Sequence, residues 1–172
     1  MEPFEPGVLP GEPRIFACVE RVGRDISAVF ELSGRAANLL TAGKARQPER
    51  RDGLWQNTCF EIFIGPSGLP NYWEFNVSPS GHWNVYRFDD YRRGMRKEAA
   101  FSALPSRVLS KPDYFSLSIR FELETILPPA ASLDAAISAV LKSSDATLSY
   151  WALVHRGLKP DFHDRSSFII TL

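Results

Sequence analysis

Apolar and polar residues alternate with a period of two over much of the chain, the signature of β-strands with two unlike faces. The runs RIFACVER at 14–21 and ISAVFELS at 26–33 both alternate, and Val22-Gly23-Arg24-Asp25 between them reads as a hairpin turn. WQNTCFEIFI at 55–64 is the clearest strand and closes at Gly65-Pro66-Ser67-Gly68. Two further strands, at 71–78 and 82–88, are joined by Ser78-Pro79-Ser80-Gly81, so three consecutive strands form a meander. YFSLSIRFELE at 114–124 alternates almost without exception. The segment 133–142 is rich enough in alanine for a helix, yet Leu133, Ala135, Ile137, Ala139 and Leu141 alternate, which predicts a strand. Weaker strands are expected at 99–109, 147–155 and 167–172, with an exposed loop over most of 34–53 carrying one helical turn near 36–40, and a second loop at 89–97. About eight to ten short strands with regularly spaced turns and no interleaved helices predict an all-β fold, an antiparallel β-sandwich, formed by a single domain over 1–172.

Because successive side chains point to opposite faces, each strand divides into two columns. Residues 55–64 give Trp55, Asn57, Cys59, Glu61 and Phe63 against Gln56, Thr58, Phe60, Ile62 and Ile64. The next strand gives Tyr72, Glu74 and Asn76 against Trp73, Phe75 and Val77. The second column belongs between the sheets, whereas the first mixes aromatic, carboxylate and amide groups that a dry interior does not tolerate unpaired. For 82–88 the parity is ambiguous; Asn84 and Tyr86 are assigned to the outward face. Arg120 is the outward residue of 114–124 expected to meet Glu61 or Glu74, and Ser149, Trp151 and His155 form the less apolar column of the 147–155 strand.

One surface is therefore expected to carry Trp55, Glu61, Glu74, Asn76, Tyr86, Arg120, Trp151 and His155. That set suits a sugar: aromatic rings take the C–H faces of a pyranose, and carboxylate, amide and guanidinium groups hydrogen bond to paired hydroxyls. The competing reading of the same residues is an exposed ion pair between Arg120 and Glu61 or Glu74 on a sheet covered by aromatics.

Composition removes several classes. At 172 residues with 44% hydrophobic and 23% charged residues, the chain is ordinary for a globular protein. Twenty Lys and Arg balance twenty Asp and Glu, leaving no global field to attract nucleic acid or an anionic membrane. The apolar runs are far shorter than the roughly 20 residues that span a bilayer. MEPFEPGVLPGEP at the start carries acids and prolines where an export signal would carry positive charge and an apolar run, so a cytoplasmic setting is expected. In that setting Cys18 and Cys59 read as reduced, buried, small apolar residues within strands rather than a bridge or metal pair.

The segments CFEIFI at 59–64, YWEFNVSPSGHWNVYRFDDYR at 72–92 and YWALVHRGLKPDFHDRSSFIITL at 150–172 resemble the DOMON-like family related to family 9 carbohydrate-binding modules. The resemblance implies a jelly-roll-like sandwich of about nine to eleven strands that binds a ligand without turnover, sugar in some relatives and haem in others. Its matching positions are Trp55 and Glu61, then Asn76 and Gly81, then Arg87 to Asp89. Modules of this kind clamp a sugar between two tryptophans, for which Trp55 and Trp151 are the candidates here.

The expected activity is that of a non-catalytic module binding a carbohydrate or a sugar-containing metabolite, with no cofactor. The alternatives are a b-type haem-binding domain and a protein-interaction scaffold. Haem would take Met95 with His155 or His163 as axial ligands. The PDFHD run at 160–164 offers a His and two carboxylates to a metal, but such spacing arises often by chance, and Asp89 with Asp90 falls short of a calcium shell. No GxSxG, P-loop or GxGxxG motif is present to support catalysis.

Overall fold

A computed structural model describes residues 1–7, 13–34, 45–128 and 131–172. The helical turn expected near 36–40 lies outside the described residues. Twelve strands are present among the described residues: β1 (Glu2–Pro3), β2 (Arg14–Val22), β3 (Asp25–Ser33), β4 (Cys59–Pro66), β5 (Tyr72–Val77), β6 (Trp83–Phe88), β7 (Arg96–Lys97), β8 (Ser106–Lys111), β9 (Tyr114–Glu122), β10 (Leu133–Lys142), β11 (Leu148–Ala152) and β12 (Ile170–Thr171). They form an antiparallel β-sandwich. One sheet has eight strands in the order β1-β11-β10-β4-β5-β6-β7, with β12 also on β10, and the other has four in the order β2-β3-β9-β8.

The β2–β3 hairpin pairs Val22 with Asp25 across a two-residue turn. Gly23 there has φ 64°, the left-handed conformation that matches a tight turn to the twist of its strands and that costs a glycine little. The β4-β5-β6 meander forms as its sequence predicts, in a register that places Glu61 opposite Asn76 and Asn76 opposite Asn84. Segment 133–142 is strand throughout, paired with both β4 and β11.

Three weak expectations shift. The strand anticipated at 99–109 begins at Ser106; that anticipated at 147–155 ends at Ala152; and of 167–172 only Ile170 and Thr171 are strand, after a 3-10 turn over Arg165–Ser167. The two-residue edge strands β1 and β7 have no periodicity of their own and form because β11 and β6 offer open ladder positions. Pro3 is tolerated in β1 because it is an edge strand, where a missing N–H need not break a ladder.

Between the sheets lies an apolar core in which Phe60 stacks on Phe115 at 5.4 Å, and Phe75 on Phe121 at 4.2 Å. The central strands of the large sheet are buried on both faces: all six residues of β5 and the first seven of β4 are buried. The outer face is therefore covered as well, by the 3-10 turn at Leu54–Gln56 and by loop residues around 92 and 162. No helix among the described residues is long and apolar enough to cross a membrane.

Candidate functional site

Two cross-strand rows make the floor of the covered outer face. Ser138, Glu61, Asn76 and Asn84 run side by side across β10, β4, β5 and β6. Ala136, Phe63, Glu74 and Tyr86 form the neighbouring row. The polar columns read from sequence thus do share one face. Their exposure differs from expectation: Glu61 and Glu74 are each 3% exposed and Asn76 is fully buried, so this face does not open directly to solvent.

Most of the buried polar atoms of this floor have partners, Asn76 Oδ1 being an exception. Ser138 Oγ donates to Glu61 Oε2 at 3.0 Å, and Asn76 Nδ2 donates to Glu74 Oε1 at 2.7 Å. Asn84 Nδ2 donates to the Tyr86 hydroxyl, to Asp52 Oδ1 and to the Arg51 carbonyl, and the Tyr86 hydroxyl donates to Asp52 Oδ1 at 2.8 Å. Asp52 also meets Lys97 at 2.7 Å, which anchors the far end of the floor.

The covering loops are locked to this floor and to each other. The Tyr72 hydroxyl meets His163 Nδ1 at 2.8 Å and accepts from the Arg92 amide at 3.2 Å. Asp161 joins the two loops: Tyr91 Oη donates to one carboxylate oxygen and Arg92 Nη2 to the other at 2.9 Å, and the His163 amide donates as well. A second apolar cluster of Phe63, Tyr72, Tyr86, Phe88, Ala136 and Phe168 fills the space below, with half-buried Trp55 and Phe162 against it. Trp55 meets Tyr86 edge-on at 5.6 Å.

Between floor and loops a pocket of about 300 Å³ remains, into which Glu61, Glu74, Trp55, Phe162, His163 and Arg92 project, and which Phe88, Met95, Val140, Tyr150 and Pro160 complete. Burial raises the pKa of Glu61, and the nearby charge of Glu74 raises it further; burial likewise raises that of Glu74. The two carboxyls accordingly titrate as a pair, with a proton retained far above the ordinary carboxylate range. Burial, reinforced by the Arg92 charge, drives His163 down to about 4, so its imidazole is neutral at pH 7. Burial pushes the Tyr72 hydroxyl up to about 12 and raises the Cys59 thiol well above its usual range, which leaves both protonated. A protonated, fully buried thiol is no nucleophile; Cys18, expected buried as well, is exposed on β2, on the solvent side of its strand. Among the described residues no group of three or more His, Cys, Asp and Glu side chains is placed to hold a metal ion.

Three residues expected on this surface are elsewhere. Arg120 lies on β9 of the opposite sheet, points to solvent and pairs with Asp25, so it meets neither Glu61 nor Glu74. Trp151 sits opposite Ala139 on β10, whose side chain faces the inter-sheet core, and at 3% exposure it is part of that core. The register therefore turns Tyr150, its neighbour, toward the pocket instead. His155 lies beyond the end of β11, where its Nε2 meets the Glu2 carbonyl at 3.0 Å and its ring meets Phe4 edge-on at 5.2 Å. Trp55 reaches the site by another route than expected: it belongs to the 3-10 turn before β4 and folds back over the sheet.

Several lining residues carry no local signal in the sequence. Phe88 and Val140 look like core positions, and Arg92 and Pro160 look like ordinary loop. Ser138 could have been found, as the one polar residue in the 136–140 stretch of a strand that is otherwise apolar there.

No family model matches the chain. No curated protein matches it either. Among solved structures it is similar to one described as "a putative carbohydrate-binding protein" from Bacteroides uniformis ATCC 8492, with a TM-score of 0.68 and 12% identity over 92% of this chain and 77% of that one. At that identity the likeness is one of fold: the sandwich has the architecture of that protein.

Proposed function

We propose that this chain is a DOMON-like module related to family 9 carbohydrate-binding modules, and that it binds a sugar or a sugar-containing metabolite without turning it over. The observation that carries this reading is the pocket of about 300 Å³, whose floor bears the carboxyls of Glu61 and Glu74 and whose walls present Trp55, Tyr150 and Phe162. Rings that stack on a sugar and carboxyls that hydrogen bond to its hydroxyls are both in place, and each stacked ring contributes on the order of 1 kcal/mol beyond the area it covers. The likeness of fold to a protein described as carbohydrate-binding supports the same reading. Because Trp151 is core, the stacking residues are Trp55 and Phe162 rather than two tryptophans. The protein would act in the cytoplasm and need no cofactor.

A second reading has one observation in its favour: Met95 and His163, a pair of side chains haem iron accepts, line the same pocket. The residues fit a porphyrin poorly. Two buried acids occupy the floor where an apolar plate would lie, and Met95 is 46% exposed on its loop.

A glycan-binding screen and a visible spectrum on one preparation separate these readings. Glycan binding lost in Trp55→Ala supports the sugar module. A Soret band replaces it with haem, and the absence of both signals leaves a protein-interaction scaffold.

A further inference from the structure

The groups around the pocket form an inventory that is unbalanced in one direction. Its floor offers acceptors: the Glu61 carboxylate, which accepts from Ser138 and meets the Cys59 thiol, and the second oxygen of Glu74, which lies 3.9 Å from His163 Nε2. A buried acceptor left unpaired costs free energy comparable to a lost hydrogen bond, so a ligand that supplies donors gains on binding.

The cations nearby do not balance the two acids. Arg92 is the guanidinium at the pocket edge, about half exposed and held by Asp161 at 2.9 Å. His163 is neutral. The other ionisable groups near the pair, Cys59 beside Glu61 on β4, Tyr72 on β5 and Tyr86 on β6, stay protonated and carry no charge. Around this acidic floor stand the rings of Trp55, Tyr150 and Phe162. Electron-rich ring faces over carboxylates are the surroundings in which an ammonium group is held, through ion pairing below and cation–π attraction from the sides.

We propose that the ligand carries a protonated amine, seated between Glu61 and Glu74 with the aromatic walls around it. An ammonium brings three donors, no acceptor and one positive charge, which matches what the floor lacks. Resting on the sugar-binding reading, this specifies an amino sugar rather than a neutral one. Entry of the cation favours the doubly ionised pair, so the proton the two acids share leaves as the ammonium docks.

The test is titration calorimetry of the full chain with a panel of hexosamines, their N-acetylated forms and the parent hexoses, repeated in two buffers of different ionisation enthalpy. The expected result is binding of a hexosamine at least tenfold tighter than its N-acetyl and hydroxyl counterparts, with net proton release. That preference should collapse in Glu61→Gln and Glu74→Gln, whose melting curves report that they remain folded. A hexose bound as tightly as its amino counterpart overturns the ammonium seat while leaving the sugar module standing. A simple alkylamine bound as tightly as any hexosamine keeps the seat and removes the sugar. No response to any hexosamine or amine overturns the proposal.

Discussion

The two faces of the β4-β5-β6 meander are equally buried and unlike in every other respect. The inner face, with Phe60, Ile62, Trp73, Phe75, Val77 and Val85, is closed against the second sheet by rings in van der Waals contact. The outer face, with Glu61, Glu74, Asn76, Asn84 and Tyr86, is closed by loops that bond to its margins and leave a cavity in the middle. The difference teaches that burial has two sources here. Apolar side chains bury themselves by packing, which leaves no room; polar ones are buried by a cover pinned at its edges, and the space it encloses is where a ligand can sit.

The largest effect that would sharpen this contrast is on the inner face. Phe75→Ala should cost about 3–5 kcal/mol in denaturant unfolding, since a fully buried ring stacked on Phe121 is lost and a cavity remains. A loss below about 1 kcal/mol would mean that the inner face is no tighter than the outer.

Next in size is the pH response of the outer face. Glu61 and Glu74 have raised pKa values when folded, so the folded chain holds a proton that the unfolded chain releases, and stability falls as pH rises from the ordinary carboxylate range toward neutrality and beyond. Glu61→Gln should shrink that decline to the part Glu74 contributes through its own burial, melting several degrees above the parent at alkaline pH and level with it in acid. His163 works in the opposite sense. Its folded pKa of about 4 lies below the ordinary 6.5, so its contribution is complete above 6.5 and is lost as pH falls toward 4. His163→Phe should flatten the acid limb of the melting profile while leaving the alkaline limb unchanged.

Trp55→Ala is the smaller structural change with the larger functional one. Half-buried over Tyr86, the indole should contribute about 1–2 kcal/mol to stability, while its loss removes a wall of the pocket and with it most of the glycan binding. If binding survives intact, the pocket is not the site.

Smallest of all is Arg120→Ala. The pair with Asp25 is exposed on the opposite sheet, so melting temperature and ligand affinity should both be unchanged. An effect on affinity would join two surfaces that the fold keeps apart.

Much of this contrast is legible in the sequence because strand parity is local. The alternation in WEFNV assigns Trp73, Phe75 and Val77 to one face and Glu74 and Asn76 to the other, and pleating leaves no freedom about it. Where the pattern mixes characters, parity fails. In LSYWA the serine suggests that Trp151 shares an outward column, yet the register on β10 sends Trp151 inward and Tyr150 to the pocket. Arg120 illustrates a different limit: its outward direction is correctly read, but no local pattern says to which sheet β9 belongs.

The sequence by itself determined that this chain is an antiparallel sandwich and that Glu61, Glu74 and Asn76 project from one side of it, because hydrophobic alternation and turn chemistry act over a few neighbouring residues. Only the tertiary structure decided that this side is covered, that Trp55, Arg92, Phe162 and His163 complete it, and that Trp151, Arg120 and His155 do not. Those outcomes depend on contacts between segments far apart in the chain, 91 residues for Tyr72 with His163 and 153 for His155 with Glu2, and on the desolvation that such contacts impose.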